Sequence, residues 1–415
     1  MEERVVLHSD LNNCYASIEC MLQPSLKGKR IAVCGSVDDR HGIVLAKNQE
    51  AKKFGVKTGM AIWQAKQVCP ELTIVPPQMD QYIKFSKIVR EIYLRYSPEV
   101  ESFGIDESWI ELTGSPMLEM KTPLEVANDI RETVKQEVGL TVSIGVSFNK
   151  IFAKLGSDMK KPDAVTCIPR DHFQEIVWPL PVEDLLYVGR ATAEKLQRRV
   201  IRTIGDLAQT DPKSLEYLLG KNGIMLWSFA NGMDTSRVMP CDYQVPIKTI
   251  GHGITCVADL TSVDEVQRVF MQLSQEVGMK LRKHQLSAAG VQIGVRDNEL
   301  SYRGYQCKLP YPTQSYTEIW QYGLQLFRDK HRWTNDIRSL TIRAIDLIPA
   351  SEAVQLDLWF DFSQHERKLV IEKTMEDLRR RFGIGIINYA ALTKVPKPLL
   401  QSTTPIKAPI RTRST

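Results

Sequence analysis

Residues 101–112 read ESFGIDESWIEL, with adjacent acids at Asp106 and Glu107. Apolar and β-prone residues flank this pair on both sides, which predicts two short strands with the acids at or near their connecting turn. Neighbouring carboxylates repel each other, so the pair is stable either in bulk water, as an exposed acidic hairpin tip, or around a cation such as Mg²⁺. A third carboxylate at the same place would favour the cation.

The elements around this hairpin predict where a third carboxylate lies. The pattern indicates strands at 5–10 and 141–148 and helices at 12–22, 82–96 and 122–138. If residues 28–77 are set aside as an insertion, the order is strand, helix, strand, strand, helix, strand, the ferredoxin-like order. With right-handed crossovers the third strand lies between the first two and runs antiparallel to both. Asp10, at the end of the first strand, is therefore expected beside the acidic pair.

Three carboxylates at one end of such a sheet suit phosphoryl transfer with two metal ions about 3.5–4 Å apart. Nucleotide cyclases and polymerases share this arrangement, so the sheet alone does not name the substrate. For Asp10 an alternative stays open, because a strand-end acid also caps the helix that follows it.

The composition is that of an ordinary globular protein. The 415 residues are 43% hydrophobic and 25% charged, and the formal net charge is +5. This length is typical of roughly two to four domains, and mild basicity is compatible with nucleic acid. Eight cysteines without a C-x-x-C pair argue against a zinc site or a disulfide framework. Because no signal peptide or membrane-spanning run is evident, we expect a cytoplasmic protein with no membrane partner.

Four motifs give the chain a resemblance to a known family. They are DLNNCYAS at 10–17, NQEAK at 48–52, GIDES at 104–108, and SFNK at 147–150 with a lysine loop that ends in KPD at 161–163. Together they resemble the Y-family translesion DNA polymerases, particularly the branch of the bacterial DNA polymerase V catalytic subunit. The resemblance implies template-directed DNA synthesis across damaged DNA, with low fidelity, no proofreading and an SOS-type role in damage tolerance.

The resemblance also implies an α+β multidomain fold: a ferredoxin-like palm with inserted fingers, a helical helix-hairpin-helix thumb, an α/β little-finger domain and a C-terminal tail. The expected bounds are palm 1–27 and 78–168, fingers 28–77, thumb 169–239, linker 240–248, little finger 249–349 and tail 350–415.

By the same resemblance, Asp10, Asp106 and Glu107 are the catalytic acids that hold two Mg²⁺ ions, with the Leu11 carbonyl as a further ligand. The other implied substrate-binding residues are Tyr15, which excludes a 2′-hydroxyl, Lys52 and Lys161, which grip the triphosphate, and Ile43 and Leu45, which cover the nascent base pair. The alternatives that involve no substrate are core packing for Tyr15 and a solvated surface charge for Lys161. The chain departs from the family pattern at Gly104, where serine is usual, and at Lys52, where many members carry arginine.

DNA contacts are implied in two places. Backbone N–H groups of Val188, Gly189 and Arg190 would bind a phosphate in a helix-hairpin-helix, although Tyr187 replaces a usual glycine. In the little finger, the candidate phosphate-binding residues are Arg296, Arg303, Arg338 and Arg343.

A short segment resembles the peptide that binds the bacterial sliding clamp. Its residues are Gln355, Leu356, Leu358, Trp359 and Phe360, and in isolation the same pattern is compatible with an edge strand. The expected partners are therefore primer-template DNA, deoxynucleoside triphosphates, the sliding clamp (β subunit) and accessory SOS proteins. The alternative function is a non-catalytic DNA- and clamp-binding protein of the same fold.

Overall fold

The computed structural model describes residues 4–35, 42–352, 362–383 and 385–393. They form two compact units, with the boundary between Gln244 and Val245. The strands of the first unit are β1 (Val6–Leu11), β2 (Ile31–Cys34), β3 (Val44–Lys47), β4 (Thr73–Val75), β5 (Val100–Ser102), β6 (Glu107–Glu111), β7 (Val142–Ser147) and β8 (Val165–Ile168). Its helices are α1 (Cys14–Leu22), α2 (Gln49–Lys53), α3 (Ile62–Val68), α4 (Met79–Tyr93), α5 (Pro123–Val138), α6 (Lys150–Met159), α7 (Phe173–Val177), α8 (Arg190–Gln197), α9 (Ile204–Gln209), α10 (Pro212–Leu219) and α11 (Lys221–Ala230).

A five-stranded sheet in the order β5-β6-β1-β7-β8 forms the centre of this unit. Strand β6 lies between β1 and β5 and is antiparallel to both, which confirms the predicted ferredoxin-like order. Leu7 and Ile110 pack into the core with α4 and α5, whereas the adjacent Val6 and Trp109 pack on the opposite face against α6. Strand β8, which the sequence pattern does not predict, extends the sheet parallel to β7.

Helix α6 approaches β7 closely enough to bring its lysine side chains to the end of β1. Gly145 in β7 has no room for a side chain, because an added Cβ would lie 1.9 Å from the carbonyl oxygen of Ala153. Asn149 starts α6 by accepting a hydrogen bond from the N–H of Phe152 at 2.8 Å. The tight helix–sheet contact places Lys154 Nζ 3.5 Å from Asp10 Oδ2.

The described part of the 28–77 insertion packs around its own sheet, in the order β3-β2-β4. Asn48 precedes α2, and its side-chain oxygen accepts hydrogen bonds from the N–H groups of Ile31 at 3.1 Å and Ala51 at 3.0 Å. This residue ties the start of α2 to β2 and so determines where Lys52 lies. Strands β2 and β3 and helices α2 and α3 lie in this segment, and β4 completes its sheet.

Helices α7–α11 enclose a separate apolar core together with one side of α6. Capping residues determine where these short helices begin: Thr203 forms a capping box with Asp206 at the start of α9, and Asp211 caps α10. The predicted helical character of this segment is confirmed. No helix among the residues described in either unit is long and apolar enough to cross a membrane.

The second unit combines a four-stranded antiparallel sheet with helices. Its elements are β9 (Ile250–Leu260), α12 (Val263–Lys283), β10 (Leu286–Asp297), β11 (Tyr302–Thr313), α13 (Tyr316–Lys330), β12 (Ile337–Pro349), α14 (Phe362–Phe382) and α15 (Ala390–Thr393). The sheet order is β11-β10-β12-β9, and its apolar face packs on α12 and α13. Strand β9 is not predicted, because its alternating glycines, Gly251 and Gly253, weaken the apolar strand pattern.

Helix α14 packs on the start of α13 through buried ionic contacts. Glu372 is 1% exposed and accepts hydrogen bonds from the N–H groups of Tyr316 at 3.0 Å and Thr317 at 2.9 Å. Arg282 lies 3.4 Å from the same carboxylate. These N–H groups are donors that the first turn of a helix leaves unpaired, so α14 completes the hydrogen bonding of α13.

Candidate active site

A cavity of about 390 Å³ opens where β1, the start of α1, the turn before β6 and the insertion meet. The predicted site residues that line it are Asp10, Leu11, Tyr15, Leu45, Lys52, Asp106 and Lys161. Glu107 and Ile43 are not part of its wall. Residues predicted from four separate motifs are thus assembled at one place.

Backbone pairing brings the three acids together. Asp10 lies opposite Glu107 in the β1–β6 ladder, and the N–H of Leu11 donates a hydrogen bond to the carbonyl of Asp106 at 2.9 Å. Gly104 has φ +96° in the turn before β6, a conformation that other L residues rarely adopt. Glycine at this departure from the family pattern is therefore suited to the tight turn.

Two lysines occupy the space between the acids. Lys161 Nζ lies 2.7 Å from Asp10 Oδ2, and Lys154 Nζ lies 3.1 Å from Glu107 Oε2. Asp158 joins the two lysines, at 3.0 Å from Lys154 and 2.8 Å from Lys161. Lys161 thus makes two ion pairs at the cavity, while the residue as a whole remains exposed to solvent.

The carboxyl groups differ in their titration because their surroundings differ. Burial, followed by repulsion from Asp10 and Glu107, raises the pKa of Asp106 to about 6. Burial also raises the pKa of Asp10, although neighbouring lysines oppose this shift. Burial alone would raise the pKa of Glu107, but His8 and Lys154 hold that pKa below its ordinary value. Asp106 is therefore the acid whose negative charge is least compensated.

The donor set fits a hard divalent cation chemically, since carboxylate oxygens and a backbone carbonyl are the ligands that Mg²⁺ prefers. A cation would also relieve the repulsion that raises the pKa of Asp106. In the described residues, however, no group of three or more histidine, cysteine or acidic side chains has the arrangement of a metal site. Asp10 and Glu107 are instead paired with lysines.

Sequence reasoning missed three residues of this cluster: His8, Lys154 and Asp158. His8 is fully buried, its Nδ1 lies 2.8 Å from Ser157 Oγ, and its Nε2 lies 3.3 Å from Glu107 Oε2. A signal for His8 exists, because residues two apart on a strand share a face, and His8 precedes Asp10 by two. Lys154 and Asp158 lie four apart on α6, which puts them on one side of that helix.

The remaining nucleotide-site predictions divide between the cavity and the surface. Tyr15 is half-buried, and burial and the Asp106 charge raise its pKa to about 12. Leu45 and Lys52 line the cavity from β3 and α2. Ile43 is 43% exposed and pairs with Ala61 in an isolated bridge, so only Leu45 of the two predicted base-pair contacts reaches the cavity wall.

The predicted helix-hairpin-helix has the expected backbone path with one correction. Tyr187 has φ +70°, the left-handed conformation that explains why glycine is usual there. Gly189 is the N-cap of α8, and the Arg190 side chain is 94% exposed and lies 2.9 Å from Glu194. The N–H of Val188 donates to the carbonyl of Leu185 at 3.0 Å. Val188 therefore has no N–H to offer a phosphate, and that prediction is restricted to Gly189 and Arg190.

The four predicted arginines of the second unit do not share one face of the sheet. Arg296 and Arg343 alternate with the buried Val295, Ile342 and Ala344 and project from the face that α12 and α13 leave open. Arg303 pairs with Val295 and so follows the register of the helix-covered face, whereas Arg338 lies at a break in the register between Ile337 and Ser339. The predicted clamp-binding residues, 355–360, lie outside the described residues.

Comparison with known proteins identifies the family. Residues 9–158 match the impB/mucB/samB family, and residues 247–358 match the impB/mucB/samB family C-terminal domain. A protein named DNA polymerase IV from Acetivibrio thermocellus is 47% identical over 92% of this chain and 95% of its own. DNA polymerase IV 1 from Bacillus subtilis is 36% identical over 95% of this chain and 94% of its own.

Among solved structures, the Y-family DNA polymerase chimera Dbh-Dpo4(243-245)-Dbh has a similar fold. The TM-score is 0.74 at 22% identity, over 83% of this chain and 99% of that chain.

This chain belongs to the impB/mucB/samB family of Y-family DNA polymerases and is a DNA-directed DNA polymerase. The α+β multidomain fold with a little-finger domain is confirmed. The relatives compared here are named DNA polymerase IV, so the expected closeness to the polymerase V catalytic subunit is not confirmed.

Proposed function

We propose that this polymerase copies damaged template strands by two-metal nucleotidyl transfer at the cavity beside Asp10 and Asp106. The supporting observation is the cavity itself, which is lined by Asp10 from β1, by Asp106 from the turn before β6, by side chains of the insertion and by Lys161 of the lysine loop. The primer 3′-hydroxyl attacks the α-phosphate of a deoxynucleoside triphosphate, and pyrophosphate leaves in line. Bound Mg²⁺ would lower the pKa of the attacking hydroxyl and neutralise charge on the leaving group.

Each side chain has a defined task in this proposal. Asp10, Asp106, Glu107 and the Leu11 carbonyl would hold the two ions. Lys52 and Lys161 bind the triphosphate, Tyr15 lies against the sugar, and Leu45, with Ile43 beside it, covers the base pair. These tasks follow the family resemblance, and the cavity wall supports all of them except those of Ile43 and Glu107.

Lysine side chains compensate the negative charge of two of the acids. Lys161 and Lys154 neutralise Asp10 and Glu107 while no cation is bound. An incoming triphosphate would attract Lys161, and the Asp10 carboxylate would then be available to hold an ion. Asp158 keeps Lys161 near the site throughout, because it contacts both lysines.

DNA is held by charge without sequence preference. Gly189 and Arg190 offer N–H groups at the start of α8, and Arg296 and Arg343 offer guanidinium groups on an open sheet face. Such contacts make binding weaken steeply as salt rises. Arg303 contributes less, because its register is that of the covered face.

The names of the relatives support a polymerase IV-type enzyme, and its location in the cytoplasm is part of the proposal. Low fidelity, lack of proofreading, binding of the sliding clamp through residues 355–360 and an SOS role remain part of the proposal. A need for accessory subunits, which closeness to polymerase V would imply, is tested by the same experiment as the activity.

Primer extension by the purified chain with Mg²⁺ and deoxynucleotides, on undamaged and abasic templates, tests the proposal. We expect extension on both templates, and loss of at least roughly 10³-fold in Asp106→Ala with DNA binding unchanged. Failure of the wild type to extend either primer, with DNA still bound, would favour the non-catalytic alternative or a missing subunit. Addition of clamp and accessory proteins separates those two outcomes.

A further inference from the structure

Tyr15 has a partner behind the cavity wall. Its ring stacks on that of Tyr82, with the centroids 4.3 Å apart and 10° between the planes. Tyr15 belongs to α1 and lines the cavity, whereas Tyr82 belongs to α4 and is fully buried. One face of the Tyr15 ring is therefore covered by a side chain that is itself enclosed by the core.

The hydroxyl group of Tyr82 is also held in place, by a hydrogen bond. It donates a hydrogen bond to one carboxylate oxygen of Glu19, and the other oxygen accepts from Gln78 Nε2 at 2.8 Å. Glu19 lies four residues after Tyr15 on α1, so both project from the same side of that helix. Tyr82 is thus fastened to α1 twice, by its ring to Tyr15 and by its hydroxyl to Glu19.

Burial of the Glu19 carboxylate costs folding free energy. Glu19 is 1% exposed, and its hydrogen-bond donors in the described structure are the neutral groups of Tyr82 and Gln78. Burial of a carboxylate without a positive partner costs free energy that an apolar residue would not cost. No step of nucleotidyl transfer uses Glu19, so its role lies in what it holds in place.

We propose that Tyr82 and Glu19 are positioning residues that immobilise the Tyr15 ring and thereby set the selectivity for deoxyribose over ribose. The inference rests on the proposed function, in which Tyr15 excludes a 2′-hydroxyl. A ribonucleotide enters only if the Tyr15 ring retreats from the cavity. The stacked ring of Tyr82 blocks that movement, and the hydrogen bond to Glu19 keeps the Tyr82 side chain in place.

The test is the ratio of kcat/KM for a deoxynucleotide to kcat/KM for the matching ribonucleotide in single-nucleotide primer extension. Tyr82→Leu removes the stacked ring, and we expect this ratio to fall about tenfold. Tyr82→Phe and Glu19→Gln keep the shapes but weaken the hydrogen bond, and we expect a fall of about threefold in each. We expect the kcat/KM for the deoxynucleotide to change less than the ratio, because the ratio falls mainly through a higher kcat/KM for the ribonucleotide.

Tyr93→Phe is the matched control. Tyr93 lies on the same helix, is also buried, and its hydroxyl lies 2.8 Å from Ser9 Oγ, so the same substitution removes a comparable hydrogen bond. The ring stacked on Tyr15 is that of Tyr82 and not that of Tyr93, and we expect an unchanged sugar ratio. A second readout is the ¹⁹F linewidth of 3-fluorotyrosine placed at position 15, which should narrow when Tyr82 or Glu19 is altered and remain as in wild type in Tyr93→Phe.

Tyr15→Ala separates failure of this inference from failure of the proposed function. If Tyr15→Ala leaves the sugar ratio unchanged, the assigned role of Tyr15 is wrong and the inference falls with it. If Tyr15→Ala collapses the ratio while Tyr82→Phe and Glu19→Gln leave it at the wild-type value, the inference alone is overturned. These two conservative variants decide the matter even if Tyr82→Leu does not fold.

Discussion

Two clusters of buried carboxylates differ in how they are compensated. In the second unit, Glu372 accepts two main-chain N–H groups at the start of α13, and Glu318 accepts hydrogen bonds from the hydroxyls of Thr313 at 2.6 Å and Tyr311 at 3.0 Å. In the first unit, the pKa of Asp106 is raised to about 6 by burial and by the neighbouring acids. For Glu318 burial acts in the same direction, but His365 and the hydroxyl donors outweigh it and lower the pKa.

The difference separates carboxylates that hold the fold from carboxylates that serve chemistry. A structural carboxylate is stable because groups of its own chain satisfy it permanently. The acids at the cavity are only partly satisfied, and two of them have lysines as ion-pair partners. Such partial compensation costs folding stability, as expected where charged groups are kept for function, and it suits the proposed cation site.

The largest effect on stability is expected for Glu372→Ala. The substitution leaves the N–H groups of Tyr316 and Thr317 without an acceptor and Arg282 without one of its carboxylate partners. We expect the free energy of unfolding of the second unit to fall by about 3–5 kcal/mol. Denaturant titration, with hydrogen exchange at these two N–H groups as the local probe, measures it.

Glu366→Ala is the matched control for Glu372→Ala. Glu366 lies on the exposed side of the same helix, so the same substitution there should change stability by less than about 0.5 kcal/mol. Equal stability of the two variants would show that α14 does not hold α13 in solution.

Asp106→Asn should stabilise the metal-free protein while it abolishes primer extension. The pKa of Asp106 in the folded chain, about 6, lies above its ordinary value of 3.8, so folding disfavours the ionised form. Removal of the charge should raise the free energy of unfolding by about 1–3 kcal/mol at pH 7.5. This gain in the free energy of unfolding should be complete above pH 6. It should fade as the pH falls towards 3.8, where the wild-type carboxyl group becomes protonated in both the folded and the unfolded chain.

Glu101→Gln tests the opposite sign in the same hairpin. Glu101 is satisfied, since Lys150 Nζ donates to its two oxygens at 2.8 and 2.7 Å. Loss of its charge should therefore destabilise the chain. A stability loss in Asp106→Asn as well would remove the distinction between the two kinds of carboxylate.

The smallest expected effect is on metal affinity in Lys161→Met. Lys161 neutralises Asp10 at 2.7 Å, so its removal should tighten Mn²⁺ binding in the absence of nucleotide by about three- to tenfold. Electron paramagnetic resonance of free Mn²⁺ measures this without any turnover. Lys160→Met removes the same charge from the exposed neighbouring position and should leave the affinity unchanged. Weaker Mn²⁺ binding in Lys161→Met would mean that the lysine supports the metal site rather than competing for it.

Much of the fold of the first unit could be predicted from the sequence, because the signals that indicate it are local. The acidic pair between two apolar runs, the capping box at Thr122 and the strand–helix order together predict the sheet and the position of Asp10. The prediction is incomplete where the local signal is weak. Strands β4 and β8 are short edge strands, and β9 carries alternating glycines, so hydrogen bonding to a neighbour makes them strands.

The sequence by itself determined which acids meet, since strand order and handedness leave few topologies for this pattern. Only the tertiary structure decided what surrounds them. His8 and Lys154 beside Glu107, and Tyr82 between Tyr15 and Glu19, depend on how helices pack on the sheet and on each other. Likewise, pairing register and packing assigned Arg296 and Arg303 to opposite faces. Such contacts join residues far apart in the chain, and periodicity along one segment carries no information about its partner across the core.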